Sequence, residues 1–389
     1  MIGFYRGDSA VFSDWSHRTL NSLATRVLRK AGGPNRSGPD NATSCHRGAV
    51  TIVDQLYNIR AIPMNPLPIM KRRLSNLRRR AANAYLRRVD PVVHAWRGRP
   101  QPLHPVVVSS ESEYREYAAR LQSSQAYESR HRAELALPHR DGSPFLTRGY
   151  CYACGVWTLF HSSWAYAAIK GDGTSEVNFR EHLVCPHCGL NNRMRASLHL
   201  LMEMAQPLPT SQIYATEQAT SLYRNLLERF PQLTGSEFLG ANVARGAANA
   251  QGIRNEDLTR LSFRDEQFDV VLSFEVLEHI PDYRAAIAEC ARILRSGGKM
   301  LFSVPFDLNA ERNLVRARLG PEGTVEHLLP PEYHGDPLNS CGCLCYRHFG
   351  WELLTEVKHA GFSIVSAILY YSRDLGYLGY GQVQFLAVK

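Results

Sequence analysis

A chain of 389 residues exceeds one typical domain and points to two folded units with appendages. Its hydrophobic content of 44% is that of a soluble globular protein, and it has no apolar run of about 18 residues or more, which argues against a membrane-spanning helix. The net charge of +9 is uneven, since residues 1–150 hold 24 Lys and Arg against 11 Asp and Glu and the remainder holds 21 against 25. The basic character therefore belongs to the N-terminal segment, which suits nucleic acid, an anionic lipid surface or simply a solvated leader. No apolar core follows a basic start at the N-terminus, so no secretory signal is read and a cytoplasmic location is expected.

Residues 1–69 lack sustained periodicity and are expected to form a disordered leader, with Met64 and Met70 as alternative translation starts. Residues 70–140 form a basic helical region and linker. Within it, 71–89 predicts an amphipathic helix, with Leu74, Leu77, Ala81, Ala84 and Tyr85 at helical steps and arginines on the other face. Such a helix can lie peripherally on an anionic membrane, pack on its own protein or touch RNA, although its alanine-rich stripe is narrow for insertion. Pro91, Pro100, Pro102 and Pro105 predict a linker, and 111–135 predicts one mostly polar helix.

Residues 145–205 contain two CxxC pairs, Cys151/Cys154 and Cys185/Cys188. Each pair can place two thiolates on one tight turn, and two such turns supply a closed tetrahedral site for structural zinc. Gly155 and Gly189 follow the second cysteine of each pair, as in a zinc-ribbon knuckle. The segments Val156–Phe160 and Ser175–Val184 have room for hairpin strands, and a helix is expected from Asn191 to about Ala205. Nine cysteines, an odd number, would make a poor disulfide framework in a chain this long.

From 211 to 389 the pattern alternates between strand and helix, the mark of a parallel α/β sheet. Expected strands are Ile213–Glu217, Leu233–Glu237, Phe268–Ser273, Lys299–Val304, Phe362–Tyr370 and Gln382–Val388. Expected helices are Ser221–Arg229, Tyr283–Leu294, stopped by Ser296-Gly297-Gly298, and Trp351–Ala360.

From Asp257 to Pro305 the chain becomes specific. An Asp precedes a Leu-x-x-x-Phe turn, followed by the FDVVLS strand, the VLEHIPD turn and the A-x-I-L-x-x-G-G-K helix exit. Together they resemble the class I S-adenosylmethionine-dependent methyltransferases, in particular the type 11 methyltransferase-domain family. The resemblance implies a Rossmann-like seven-stranded sheet whose last strand is antiparallel, with S-adenosylmethionine at the carboxyl ends of the strands. It also implies that Asp257 accepts from the adenine amino group beside Leu258, and that Ser273, Phe274 and Glu275 face the methionine part and the entering substrate. The family's glycine-rich loop is replaced by Glu217-Gln218-Ala219-Thr220-Ser221, where small residues such as Ala219 still allow close backbone approach. Glu237, 20 residues after Glu217, is placed to accept both ribose hydroxyls, with Phe238 next to it.

Methyl transfer needs alignment of the acceptor and, for a hydroxyl or amine, a proton acceptor. His279 and His334 are the candidates, the latter in an insertion at about 307–348 that suits a substrate wall or lid. Cys341, Cys343 and Cys345 in that insertion are read as free thiols. Three functions compete: a small-molecule or glycan O- or N-methyltransferase, an RNA methyltransferase using the ribbon and basic leader, and a non-catalytic binding module.

Overall fold

The computed structural model describes residues 99–139, 141–169, 175–320 and 323–389. The expected leader and the 71–89 helix lie outside the described residues. The described residues begin with β1 (Val106–Val108), α1 (Glu111–Gln122) and α2 (Gln125–Leu135). The single helix expected over 111–135 is two. Ser124 Oγ accepts from the Tyr127 N–H, so the Ser123-Ser124 pair ends one helix and caps the next.

β2 (Phe145–Cys151) and β3 (Val156–Ser162) form a seven-residue antiparallel hairpin joined at its edge by β6 (Leu183–Val184). A separate short pair, β4 (Ala168–Ile169) with β5 (Ser175–Glu176), lies between β3 and β6 in the chain. The expected long second strand, Ser175–Val184, is thus two dipeptide strands, and the hairpin partner of β3 is the unread Phe145–Cys151. α3 (Asn192–Leu200) follows, extended by one π-helical turn over Leu201–Ala205.

The main sheet takes β7 (Ile213–Ala215), β8 (Thr234–Gly235), β9 (Phe268–Phe274), β10 (Leu294–Ser303), β17 (Ile364–Leu369) and β18 (Val383–Val388). Its order is β1-β17-β18-β10-β9-β7-β8. β7, β8, β9 and β10 run parallel, β18 is antiparallel to both neighbours, and β17 therefore returns to the parallel direction. The antiparallel last strand matches the expectation from the resemblance. The seventh strand, however, is β1, laid antiparallel on β17 and drawn from a stretch the sequence marked only by its prolines. Beyond β8 the ladder shrinks to a single Glu237–Asn255 bridge.

Burial explains the central strands. Val270, Val271 and Leu272 of β9 and Met300, Leu301 and Phe302 of β10 are all at most 3% exposed, each contributing about 2 kcal/mol of apolar transfer. α4 (Ser221–Arg229), α5 (Tyr283–Ile293) and α6 (Glu352–His359) cover the sheet, burying Leu226, Ile287 and Leu354 among others. α5 is not ended by the expected glycine cap. β10 starts at Leu294, and Gly297, at φ +73°, sits in a register shift between Leu294 and Lys299. The helix ends at Ile293, one residue short of the expected Leu294, and the glycines are taken up in the strand that pairs with β9.

Residues 307–348 form the expected insertion after β10. They are short antiparallel pairs: β11 (Leu314–Val315) with β16 (Arg347–His348), β12 (Ala317–Leu319) with β13 (Val325–His327), and β14 (Tyr333–His334) with β15 (Cys343–Leu344).

Candidate active site

The carboxyl ends of β7, β8 and β9 bring several sequence-predicted residues together. The chain leaves β7 through Thr216 into Glu217, whose carboxyl is buried. Burial pushes it up to about 7, against a hydrogen bond from the Thr220 hydroxyl and the attraction of Arg193. Its Oε1 is buried without a hydrogen-bond partner, as is the Ser273 hydroxyl at the end of β9. Two orphaned polar atoms at the strand ends are what a polar ligand seated there would satisfy. Thr220 caps α4 by accepting from the Tyr223 N–H at 3.0 Å. None of residues 217–221 takes a positive φ, which is why this loop folds without glycine.

Glu237 reaches across from the end of β8. Its Oε1 accepts the Gln218 and Ala219 N–H groups, both at 2.7 Å, and burial pushes its carboxyl up. One carboxylate oxygen is thus committed to positioning the loop, leaving Oε2 for the ribose contact expected of this residue. Gly235 makes this approach possible, since a Cβ there would meet the Tyr223 ring and lie 2.7 Å from the Glu217 carbonyl oxygen. Phe238 is 64% exposed. Asp257 Oδ1 accepts from the backbone N–H and hydroxyl of Thr259 at 2.9 and 2.7 Å, with Leu258 buried beside it. Phe274 is buried at the end of β9.

A charged network was not legible in the sequence. Glu275, held at φ +57° just past β9, is paired by Arg180 through Nη2–Oε1 at 2.7 Å and Nη1–Oε2 at 3.2 Å. It also accepts from the Ser303 hydroxyl at 2.7 Å. Burial raises Glu275, but the Arg180 and Arg193 guanidiniums outweigh it and hold it at about 2. Arg193 forks onto Glu181 at 2.8 and 3.1 Å. Arg180 and Glu181 belong to the cysteine-bearing module, so that module forms a wall at the carboxyl end of the sheet. Arg195 ties it down from inside: fully buried, it donates to Leu183 and Leu190 of the module and to Gly376 of the β17–β18 loop, and packs 3.7 Å over the Phe160 ring.

His279 and His334, far apart in sequence, meet edge-on with ring centroids 4.9 Å apart. Both face Glu278 Oε1 at 3.5 Å, and Glu278 is completely buried with both oxygens lacking a conventional hydrogen bond. His279 Nδ1 contacts the Leu344 carbonyl at 2.9 Å, and the Tyr346 N–H donates to the Glu278 carbonyl at 2.8 Å, so the insertion is fastened over this turn. Hydrogen bonds to Cys345, Glu278 and Glu332 hold His334 up at about 11, so in this arrangement its imidazole already carries the proton a base would have to accept. Of the three insertion cysteines, Cys341 is exposed, Cys343 half-buried and Cys345 buried.

The two CxxC pairs converge. Cys151 and Cys188 sulfurs lie 3.8 Å apart, Cys154 and Cys185 sulfurs 3.9 Å, and all four thiols fall within 4.8 Å of one another. A tetrahedron of thiolates about 2.3 Å from a central ion has edges of about 3.8 Å. Gly155 and Gly189, both at φ +72°, donate back to the carbonyls of Cys151 and Cys185 at 2.8 and 2.9 Å, closing two knuckles.

A cavity of about 300 Å³ opens beyond the carboxyl end of β17, between that strand and α1–α2. Tyr114, Tyr117, Tyr127, Tyr370, Tyr371 and Tyr380 line it, with Leu308 from the chain after β10. Gly379 of its rim lies close to Phe179, the residue before Arg180.

Residues 219–302 match the profile of a family described as "Methyltransferase domain". A ubiquinone biosynthesis O-methyltransferase of Idiomarina loihiensis is 35% identical over 120 residues, 26% of this chain and 47% of that protein. Another of the same name from Sinorhizobium medicae is 32% identical over 129 residues, covering 28% and 51%. A probable S-adenosylmethionine-dependent methyltransferase of Mycolicibacterium smegmatis is 43% identical over 53 residues, covering 14% and 21%. The chain spans about half the length, or less, of these curated relatives. Among solved structures, a Thermotoga maritima protein described as a possible histamine N-methyltransferase aligns over 51% of this chain and 91% of its own, at 17% identity and a TM-score of 0.31. The family match and the relatives agree that residues 219–302 carry a methyltransferase domain similar to those of S-adenosylmethionine-dependent methyltransferases, set on the Rossmann-like seven-stranded sheet.

Proposed function

We propose that this protein transfers a methyl group from S-adenosylmethionine to a hydroxyl or amine of a small-molecule acceptor. The observation that carries the reading is the tyrosine-lined cavity of about 300 Å³, at the lower end of small-ligand pockets, on the face where the strands end. Two relatives are named ubiquinone biosynthesis O-methyltransferases, which favours O-methylation of a small molecule over a nucleic acid or an extended glycan.

The cofactor supplies an activated methyl group on a sulfonium. We assign its methionine part to Glu217, Ser273 and Phe274, its ribose to Glu237 beside Ala219, and its adenine to Asp257, Leu258 and Phe238. The orphaned Glu217 Oε1 and Ser273 hydroxyl support this assignment. Proton acceptance is assigned to His279, whose Nδ1 lies 2.9 Å from the Leu344 carbonyl and whose Nε2 faces Glu278 Oε1 at 3.5 Å. His334 stands edge-on to it and holds the ring in place. The four clustered thiols are assigned to structural zinc. In that role the metal fixes the loop bearing Arg180 and Glu181 and takes no part in transfer.

The test is transfer of labelled methyl from S-adenosylmethionine into fractionated cell extract, with small-molecule, glycan, protein and RNA fractions counted separately. Label in the small-molecule fraction, with KM for that acceptor raised at least about tenfold by Leu121→Trp and cofactor binding unchanged, is the expected result. Label confined to RNA or protein, or no transfer with intact cofactor binding, overturns it.

A further inference from the structure

Within the insertion, a second group of metal-type donors lies apart from the four-thiol cluster. Glu332, Cys345 and His348 each offer a ligand atom within 4.8 Å of the others. Glu332 Oε1 lies 2.9 Å from His348 Nε2 and 2.9 Å from His334 Nε2, so one carboxylate oxygen sits between two imidazoles. The Cys345 N–H donates to the Glu332 carbonyl at 2.8 Å, which brings the two loop ends together. β16 pairs with β11 and sets His348 beside them.

We propose that Glu332, Cys345 and His348 form a second metal centre, for a divalent ion of zinc's class, in the insertion that covers the Glu278–His279 turn. One thiolate, one imidazole and one carboxylate suit a borderline-soft ion better than magnesium or calcium, which prefer all-oxygen sets. Their two negative charges balance the ion. Three protein donors leave a fourth position for water, beside His334. A metal-free nucleophile made of the same three residues is a poorer account, because Cys345 is 0% exposed and no substrate reaches its sulfur. Glu332 also pairs with Arg316 at 3.1 Å, which orients the carboxylate from behind. The ion ties 332–348 into one rigid lid, and through the Tyr346 N–H to Glu278 that lid is fixed over the turn carrying His279.

The full chain, purified without a metal-binding tag, loaded with zinc and freed of excess, is assayed for bound metal by mass spectrometry. Two zinc ions per chain are expected, falling to one in the Cys345→Ser, His348→Asn double variant. Cobalt substitution should add to the strong four-thiolate absorption a weaker single-thiolate component that the double variant lacks. One zinc per chain in the wild type overturns the proposal whatever the variants do, and so do two in both proteins. Should the double variant fail to fold by circular dichroism, Glu332→Gln replaces it. One of its two ions should then be lost to a competing chelator at least about tenfold more readily than in the wild type, and equal retention overturns the proposal. Metal counting does not depend on turnover, so its outcome is separate from that of the methyl-transfer assay.

Discussion

The carboxyl of Glu217 gives the strand-end site a pH signature. It ionises at about 7 in the folded chain because burial strips its solvent, against 4.5 for an exposed glutamate. Between those values the folded protein holds a proton that the unfolded chain has released. The stabilisation is therefore fully present below about 4.5 and is lost as pH rises through about 7. A difference of about 2.5 units corresponds to about 3 kcal/mol in all, of which about 2.5 kcal/mol falls between pH 5 and pH 8. Glu217→Gln removes the titration while keeping an acceptor for the Thr220 hydroxyl. Urea unfolding of wild type and variant at pH 5 and pH 8 supplies the measurement, and titrations common to both proteins cancel in the difference. Relative to the variant, the wild type should lose about 2.5 kcal/mol on going to pH 8. A difference that stays constant within about 0.5 kcal/mol refutes the argument that Glu217 is buried and unsatisfied.

Further outcomes follow from the same site. Arg180→Met leaves Glu275 without its main partner and should cost about 2–3 kcal/mol, less than a fully buried pair because both side chains keep some exposure; Glu275→Gln in that background should restore part of it, read by thermal unfolding. Cys154→Ser should release one zinc ion and lower stability by at least about 3 kcal/mol, and retention of both metal and stability would dismiss a structural role for that cluster. Glu237→Ala removes the acceptor for two loop amides, and calorimetry with S-adenosylhomocysteine should show binding weakened at least about tenfold. Gly235→Ala drives a methyl group towards Tyr223 and the Glu217 carbonyl and should cost more than about 2 kcal/mol, whereas a silent substitution would contradict the close approach described.

What could be read from the sequence is what short-range physics dictates. β9 and β10 are unbroken apolar runs, α5 repeats its apolar residues at helical steps, and each CxxC pair with its following glycine specifies a knuckle within five residues. What could not be read depends on partners distant in the chain. Arg180 and Glu275 meet across 95 residues, and before folding each resembles any solvated charge. The glycines after α5 signal a stop, yet the β9 ladder begins at once and absorbs them in a register shift. His279 and His334 were both visible as candidates; that Glu278 and Glu332 bracket His334 and raise it was not, because the β14–β15 pairing that delivers it is two residues long.

β1 has one more consequence. Without Val106–Val108, the outer edge of β17 would be a row of unpaired amide and carbonyl groups over Ala367 to Leu369, an apolar segment open to pairing with any other chain. A fragment trimmed to the boundary that the α/β pattern suggests, near residue 211, would expose that row and also remove α1, α2 and the wall of the tyrosine cavity. A piece that keeps this edge covered therefore begins before Val106, and self-association is the expected mark of any shorter one.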